Sequence, residues 1–141
     1  MEDGVPTSTI DWPVEIEIRD RRTITYLVDS PTHAIQLLHS KEGDMTSWHI
    51  HEHKSQQLTV LSGLVWFFTN GRDVILHPGE TIRVDRSVPH CFAVISDAVI
   101  LESYIGADVS RDDIVRRHTL PEVIEDKLRH FLKNRQHRDA L

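Results

Sequence analysis

The sequence predicts a mostly β protein of the sandwich or barrel class, and three observations indicate this. Short apolar or alternating stretches follow one another at even spacing between residues 14 and 104. Turn residues separate them, as in Ser30-Pro31, Asn70-Gly71 and Pro78-Gly79. Helical periodicity is found only after residue 110. Strands should therefore form the body of the molecule, with short helices confined to the C-terminal end.

Ten stretches along this body have a strand-like pattern, and at least nine short strands are expected from them. The stretches are 14–19, 23–28, 33–39, 46–51, 56–61, 64–69, 73–77, 81–84, 90–95 and 98–104. Asn70-Gly71 between two apolar runs is typical of a two-residue hairpin. We expect residues 61–63, which end in Gly63, to turn the chain between two separate strands.

The two ends of the chain differ from this body. Residues 1–13 are predicted to form an N-terminal arm, residues 14–110 the β-barrel, and residues 111–141 a helical extension. A short helical turn should follow Ser110, and Thr119 should cap a longer helix. Apolar residues spaced three and four apart form one stripe on that helix: Ile124, Leu128, Phe131 and Leu132. We expect this stripe to pack on the outside of the β body or on a second subunit.

Composition excludes several functional classes. With 141 residues, 39% hydrophobic and 27% charged, the chain is typical of one soluble globular domain. A net charge of -6 argues against nucleic-acid binding, and no apolar stretch is long enough to span a membrane. The lone Cys91 excludes an internal disulfide and should be a buried thiol. Because the N-terminus lacks the apolar run of a signal peptide, a cytoplasmic location is expected.

The stretch from Gly43 to Gly63 contains the best candidates for a metal site. His49 and His51 are two residues apart, so on a strand their side chains point to the same face. Two imidazoles on one face make half of a metal site, and His90 is the best candidate for a third. His53 and Gln57 are expected at the periphery of the site or on the surface rather than as ligands.

These residues resemble the two motifs of the cupin family. The first motif is matched by Gly43, His49, His51, Gln56 and Gly63 at the family's spacing, with Gln56 where the family usually has Glu. The second motif is matched by Pro78, Gly79, Glu80, Pro89 and His90. The resemblance covers roughly residues 34–104 and implies a double-stranded β-helix, or jelly-roll barrel. It also implies a homodimer, common among small cupins, and one divalent metal ion bound by four side chains: His49, His51, Gln56 and His90.

A narrower similarity lies towards the C-terminus. Glu102 and the run at 112–116 are similar to the end of the cupin domain in bacterial mannose-6-phosphate isomerases of the bifunctional kind. The chain departs from that family at His49, Gln56 and Gln57, where those enzymes have Gln, Glu and His. The similarity implies a sugar-isomerase-like relative, and it makes Arg116 a candidate for binding an anionic part of the substrate.

The chemistry of the implied site favours a Lewis acid. Three imidazoles and a carboxamide are neutral, so a bound ion keeps its full charge, and such a site suits Mn, Fe, Ni, Co or Zn. Glu102 is the candidate general base if its side chain points inward and a water-facing residue of an edge strand if it does not. Tyr104 on the same strand face could donate to a substrate oxygen. Arg83 is a candidate substrate-binding clamp if its side chain points inward and a surface charge if it points outward.

Three functions remain in competition. The preferred one is a metal-dependent isomerase or cyclisation enzyme acting on a small sugar, sugar phosphate or sugar acid. The alternatives are a non-haem iron dioxygenase and a non-catalytic module that binds a small molecule through its metal. A homodimer is predicted, with the apolar 64–69 run and the C-terminal stripe as candidate interfaces.

Overall fold

The computed structural model describes residues 15–117 and 119–139; the side chains of residue 132 and of residues 134–139 lie outside this description, as does the predicted N-terminal arm. The described chain forms nine strands and one helix. The strands are β1 Glu15–Ile18, β2 Arg22–Asp29, β3 His33–Ser40, β4 His49–Ile50, β5 Lys54–Thr69, β6 Arg72–Leu76, β7 Thr81–Val84, β8 His90–Gly106 and β9 Val115–Arg116, and the helix α1 is Glu122–Asp139.

Antiparallel pairing organises the strands around two long ones, β5 and β8. One edge of β8 pairs with β3, which continues to β2 and β1, and the start of β8 also pairs with β4. Strand β5 pairs with β8 along nearly its whole length, and its opposite edge carries β7 and then β6. The ladder of described strands does not close on itself. This curved, mostly β arrangement is the jelly-roll class that the sequence predicts.

Alternation along β5 and β8 sorts their side chains into two apolar clusters. Val65 and Phe67 face the interior, whereas Trp66 and Phe68 face outward. The outward cluster would be exposed without α1, whose Ile124 covers it. The apolar stripe therefore packs on the outside of the β body, the first of its two expected positions, although the side chain of residue 132 lies outside the described set. No helix in the described residues is long and apolar enough to cross a membrane.

The local turn signals have mixed outcomes. The Asn70-Gly71 hairpin is confirmed, since Thr69 pairs with Arg72 across it and Gly71 has a φ of 68°. The turn expected at 61–63 is wrong, because the chain runs through it as one strand with shifts in its register against β8. Gly63 permits this bend: its φ is 83°, and a Cβ there would lie 2.2 Å from the carbonyl oxygen of Asp97.

The short helical turn expected after Ser110 is also wrong. The chain makes a turn at 111–112 and then forms β9, which pairs with β4. Long-range hydrogen bonds account for this, because the carboxylate of Asp113 accepts from the backbone N–H groups of Glu52 and His53. Helix therefore begins only at Glu122, close to the predicted cap at Thr119, and the described extension contains one helix.

Candidate metal centre and active-site cavity

Three buried histidines meet at one end of the interior. His49 pairs directly with His90 across β4 and β8, and His51 follows two residues after His49. Candidate ligand atoms of the three side chains all lie within 4.8 Å of one another. The side chains predicted from their spacing are therefore brought together, and they could hold a metal ion.

Backbone carbonyls orient all three imidazole rings. The Nδ1 atoms lie 2.6 Å from the Ser47 oxygen for His49, 2.7 Å from the Asp113 oxygen for His51, and 2.9 Å from the Val88 oxygen for His90. An Nδ1–H group that donates to each carbonyl leaves each Nε2 with a free lone pair, as a metal ligand requires.

Burial also keeps these rings in the neutral form that binds metal. It lowers the pKa of His49 to about 4 and that of His90 to about 3, and it lowers the pKa of His51. Neutral imidazoles do not have to lose a proton when they bind an ion at neutral pH.

Buried acceptor atoms without a donor indicate that a cation fits this cluster. His51 Nε2 has no hydrogen-bond partner among the described residues. His90 Nε2 lies 3.0 Å from Gln56 Oε1. When the single N–H of neutral His90 is on Nδ1, His90 Nε2 and Gln56 Oε1 are both acceptors, and they face each other. A cation placed between them would turn this repulsive contact into two ligand bonds, and the three-nitrogen, one-oxygen donor set suits a divalent transition metal.

A hydrogen-bonded carboxylate lies beside the histidine cluster. Glu102, 4% exposed, accepts from Tyr104 Oη at 2.7 Å and from Gln36 Nε2 at 3.2 Å. It also accepts from Gln56 Nε2, so the Gln56 amide joins Glu102 to His90. Burial raises the pKa of Glu102, and burial together with the neighbouring carboxylate raises the pKa of Tyr104. Glu102 is therefore an interior group and not a water-facing edge residue.

These groups open into one cavity of about 260 Å³. Basic side chains outnumber acidic ones in its lining. The basic ones are Arg19, Arg22, Lys54, Arg111 and Arg116, and the acidic ones are Asp29 and Glu102. Arg116 reaches the cavity because β9 places it opposite His49.

Arg83 is not brought to this cavity. Its side chain is 73% exposed and lies 3.4 Å from Asp85, and it faces a separate surface depression. Alternation along β7 explains this orientation. Ile82 and Val84 point to the interior, so Arg83 between them points to the opposite face. Arg83 is therefore a surface charge, the second of the two roles considered for it. His53 and Gln57 are likewise exposed, as expected for peripheral residues.

A family model described as a cupin domain matches residues 36–104. This chain belongs to the cupin superfamily. None of the curated proteins matches this cupin in sequence.

Solved structures with the same fold belong to several differently named proteins. KdgF from Halomonas sp. is 17% identical, with a TM-score of 0.63 over 70% of this cupin and 91% of KdgF. Pac13 of Streptomyces, described as a nucleoside dehydratase, is 14% identical, with a TM-score of 0.64 over 77% and 88% of the two chains. A sugar phosphate isomerase from Silicibacter pomeroyi is 17% identical, with a TM-score of 0.55 over 60% and 59%. Identities this low establish the fold alone.

The structure adds two residues that the sequence reasoning missed. Lys54 is 5% exposed, lines the cavity and shares an inward strand face with Gln56, so alternation could have found it. Burial lowers the pKa of Lys54, while the charge of Asp113 acts in the opposite direction. Asp113 orients His51 through its backbone oxygen, a contact between residues 62 positions apart that no local pattern announces.

Proposed function

We propose that this cupin is a divalent-metal-dependent enzyme that moves a proton beside a carbonyl group in a small hydroxylated substrate. The substrate class is a sugar, sugar phosphate or sugar acid, and the net reaction is an isomerisation or cyclisation. One observation carries the proposal. The buried Glu102–Tyr104 pair shares a cavity with the three-histidine cluster and is linked to it through Gln56.

His49, His51 and His90 would hold the ion, with the Gln56 oxygen as a fourth ligand. When bound, Mn, Fe, Ni, Co or Zn supplies a Lewis acid that polarises a substrate carbonyl. The four ligands are neutral and leave the charge of the ion uncompensated, which strengthens that polarisation.

Glu102 serves as the general base, and Tyr104 as the hydrogen-bond donor beside it. Gln36 and Gln56 hold the carboxylate in position through their side-chain amides. Because burial raises the pKa of Glu102, its carboxylate accepts a proton more readily than an exposed one. Two structural neighbours are named for a dehydration and an isomerisation, and both of these reactions proceed without net oxidation. On this ground we prefer the isomerase to the dioxygenase.

The test is turnover by wild-type protein and Glu102→Gln, each loaded in turn with the five candidate metals, on a panel of aldoses, ketoses, sugar phosphates and uronates. Glu102→Gln keeps the shape of the side chain and removes the base, so we expect kcat to fall about 10²–10⁴-fold with metal content unchanged. Glu52→Gln, at an exposed carboxylate, is the matched control and should retain activity.

Two outcomes would contradict the proposal. Oxygen uptake by the iron form, abolished by zinc, would assign the dioxygenase alternative. Tight binding of a panel compound without turnover by any metal form would assign the non-catalytic binding module.

A further inference from the structure

We propose that Lys54 and Arg116 bind a carboxylate group of the substrate, so that this cupin prefers a small hydroxy acid to a neutral sugar or a sugar phosphate. The inference deepens the proposed function, on which it rests for the position of the substrate in the cavity. It concerns recognition, and it can be tested without turnover.

Lys54 is a buried ammonium group with spare donors. Its Nζ donates to the Ser110 oxygen at 3.1 Å and lies 4.2 Å from the centre of the Tyr104 ring. Within the described residues it forms no ion pair and one hydrogen bond, so two of its three N–H donors have no hydrogen-bond partner there. Burying a charge without pairing it is costly, and an anion in the cavity would remove that cost.

The other cations around the cavity are already neutralised, apart from Arg116. Arg22 pairs with Asp44 at 2.9 Å, and Arg111 pairs with Glu15 at 2.7 Å and with Asp29 at 3.1 Å. A similar short pair joins Arg19 to Glu17. Among the described basic residues that line the cavity, Lys54 and Arg116 are left without a carboxylate partner.

Donor geometry and charge favour a carboxylate over a phosphate. A carboxylate has two oxygens with about four lone-pair positions. The two spare N–H groups of Lys54 and the two-pronged face of an arginine match this number. A phosphate dianion would bring more negative charge than a carboxylate beside the buried carboxylate of Glu102, and the repulsion between them opposes its binding.

The position of Lys54 also suits the reaction. Its Nζ lies over the ring of Tyr104, whose hydroxyl donates to Glu102. A carboxylate bound by Lys54 would therefore place the adjacent hydroxyl-bearing carbons near the base. Strand alternation explains this arrangement, since Lys54 and Gln56 share a face of β5 and Gln56 pairs with Tyr104 on β8.

The experiment measures equilibrium binding by calorimetry to the zinc-loaded protein carrying Glu102→Gln, which should not turn over its ligands. The probes are gluconate, gluconamide and glucose 6-phosphate, which present a carboxylate, a neutral amide and a phosphate. We expect gluconate to bind roughly ten-fold or more tightly than gluconamide, because charge-assisted hydrogen bonds are stronger than neutral ones. Lys54→Met should remove this preference, and the exposed Lys41→Met is the matched control that should keep it.

Arg116→Gln is the second test variant, at an exposed site that keeps the result interpretable if Lys54→Met does not fold. It should reduce the preference for gluconate while metal content and thermal midpoint stay unchanged. Equal binding of gluconate and gluconamide, or a Lys54-dependent preference for glucose 6-phosphate, would overturn the inference. Glu102-dependent turnover of a neutral aldose would also overturn the inference but leave the proposed function intact. Lys54-dependent carboxylate binding without any turnover by wild-type protein would support the inference and overturn the proposed function.

Discussion

At the scale of single residues, the candidate metal site depends on how three rings are held. Each imidazole is buried and oriented through Nδ1 by a backbone carbonyl, so the three Nε2 atoms are available to one ion. The carbonyl that orients His51 belongs to Asp113, far along the chain. His53 differs from its neighbour His51 in being exposed, and its Nε2 lies 3.9 Å from the Glu52 carboxylate.

Removing one ring should therefore remove the ion. We expect about one equivalent of metal in wild-type protein purified without a histidine tag, and loss of that metal in His51→Ala, because two imidazoles and an amide remain. His53→Ala is the control with the same substitution two residues away, and it should keep the metal. Elemental analysis with a thermal melt checks both. An equal metal content in His51→Ala and His53→Ala would contradict the site.

At the scale of elements, the segment 110–117 supports β4, which carries His49, and the residues that follow it, beginning with His51. It supplies the Asp113 carboxylate to the backbone N–H groups of Glu52 and His53, and Arg117 donates its backbone N–H to the Trp48 oxygen at 2.8 Å. These bonds explain why this segment is extended rather than helical. Only beyond it does the apolar stripe of α1 cover the outer face of the sheet.

The packing of α1 can be tested through the single cysteine. Cys91 is fully buried under Leu128 and Ile124, and burial raises the pKa of its thiol to about 12, so the folded protein should react slowly with thiol reagents. Leu128→Ala should cost about 2–5 kcal/mol of stability and accelerate labelling of Cys91, because it leaves a cavity below the helix. Val123→Ala, at a helix position that is 66% exposed, should change neither. Equal labelling rates in the two variants would contradict this packing.

At the scale of the whole molecule, the surfaces first predicted for a homodimer are used within the chain. Phe67 and Phe68 of the 64–69 run are buried, and Ile124 and Leu128 of the stripe pack on the sheet. The exposed apolar residues that remain include Ile16 and Ile18 on β1, which are 55% and 80% exposed. Within the described residues β1 pairs with β2 alone, so its outer edge offers unpaired backbone groups.

The homodimer stays a prediction, now assigned to the β1 edge. Light scattering coupled to gel filtration should give twice the chain mass of 16.3 kDa for wild-type protein. Ile18→Lys should shift the mass to that of one chain, since a charge on an apolar edge opposes strand pairing. Ile75→Lys, at another exposed isoleucine on β6, is the control that should remain dimeric. A monomeric mass for the wild-type protein would refute the prediction.

The sequence by itself determined the β class, most strands, the Asn70-Gly71 hairpin and the three histidines, because these depend on local period and spacing. Strand alternation is also enough to predict that Arg83 points outward, because the apolar residues on either side of it, Ile82 and Val84, point to the interior. Only the tertiary structure decided that Gly63 bends a strand instead of turning the chain. It also decided that Lys54, Gln56, Glu102 and Tyr104 meet in one cavity. These outcomes depend on the pairing of β5 with β8, which joins residues from 21 to 52 positions apart and is invisible to any local pattern.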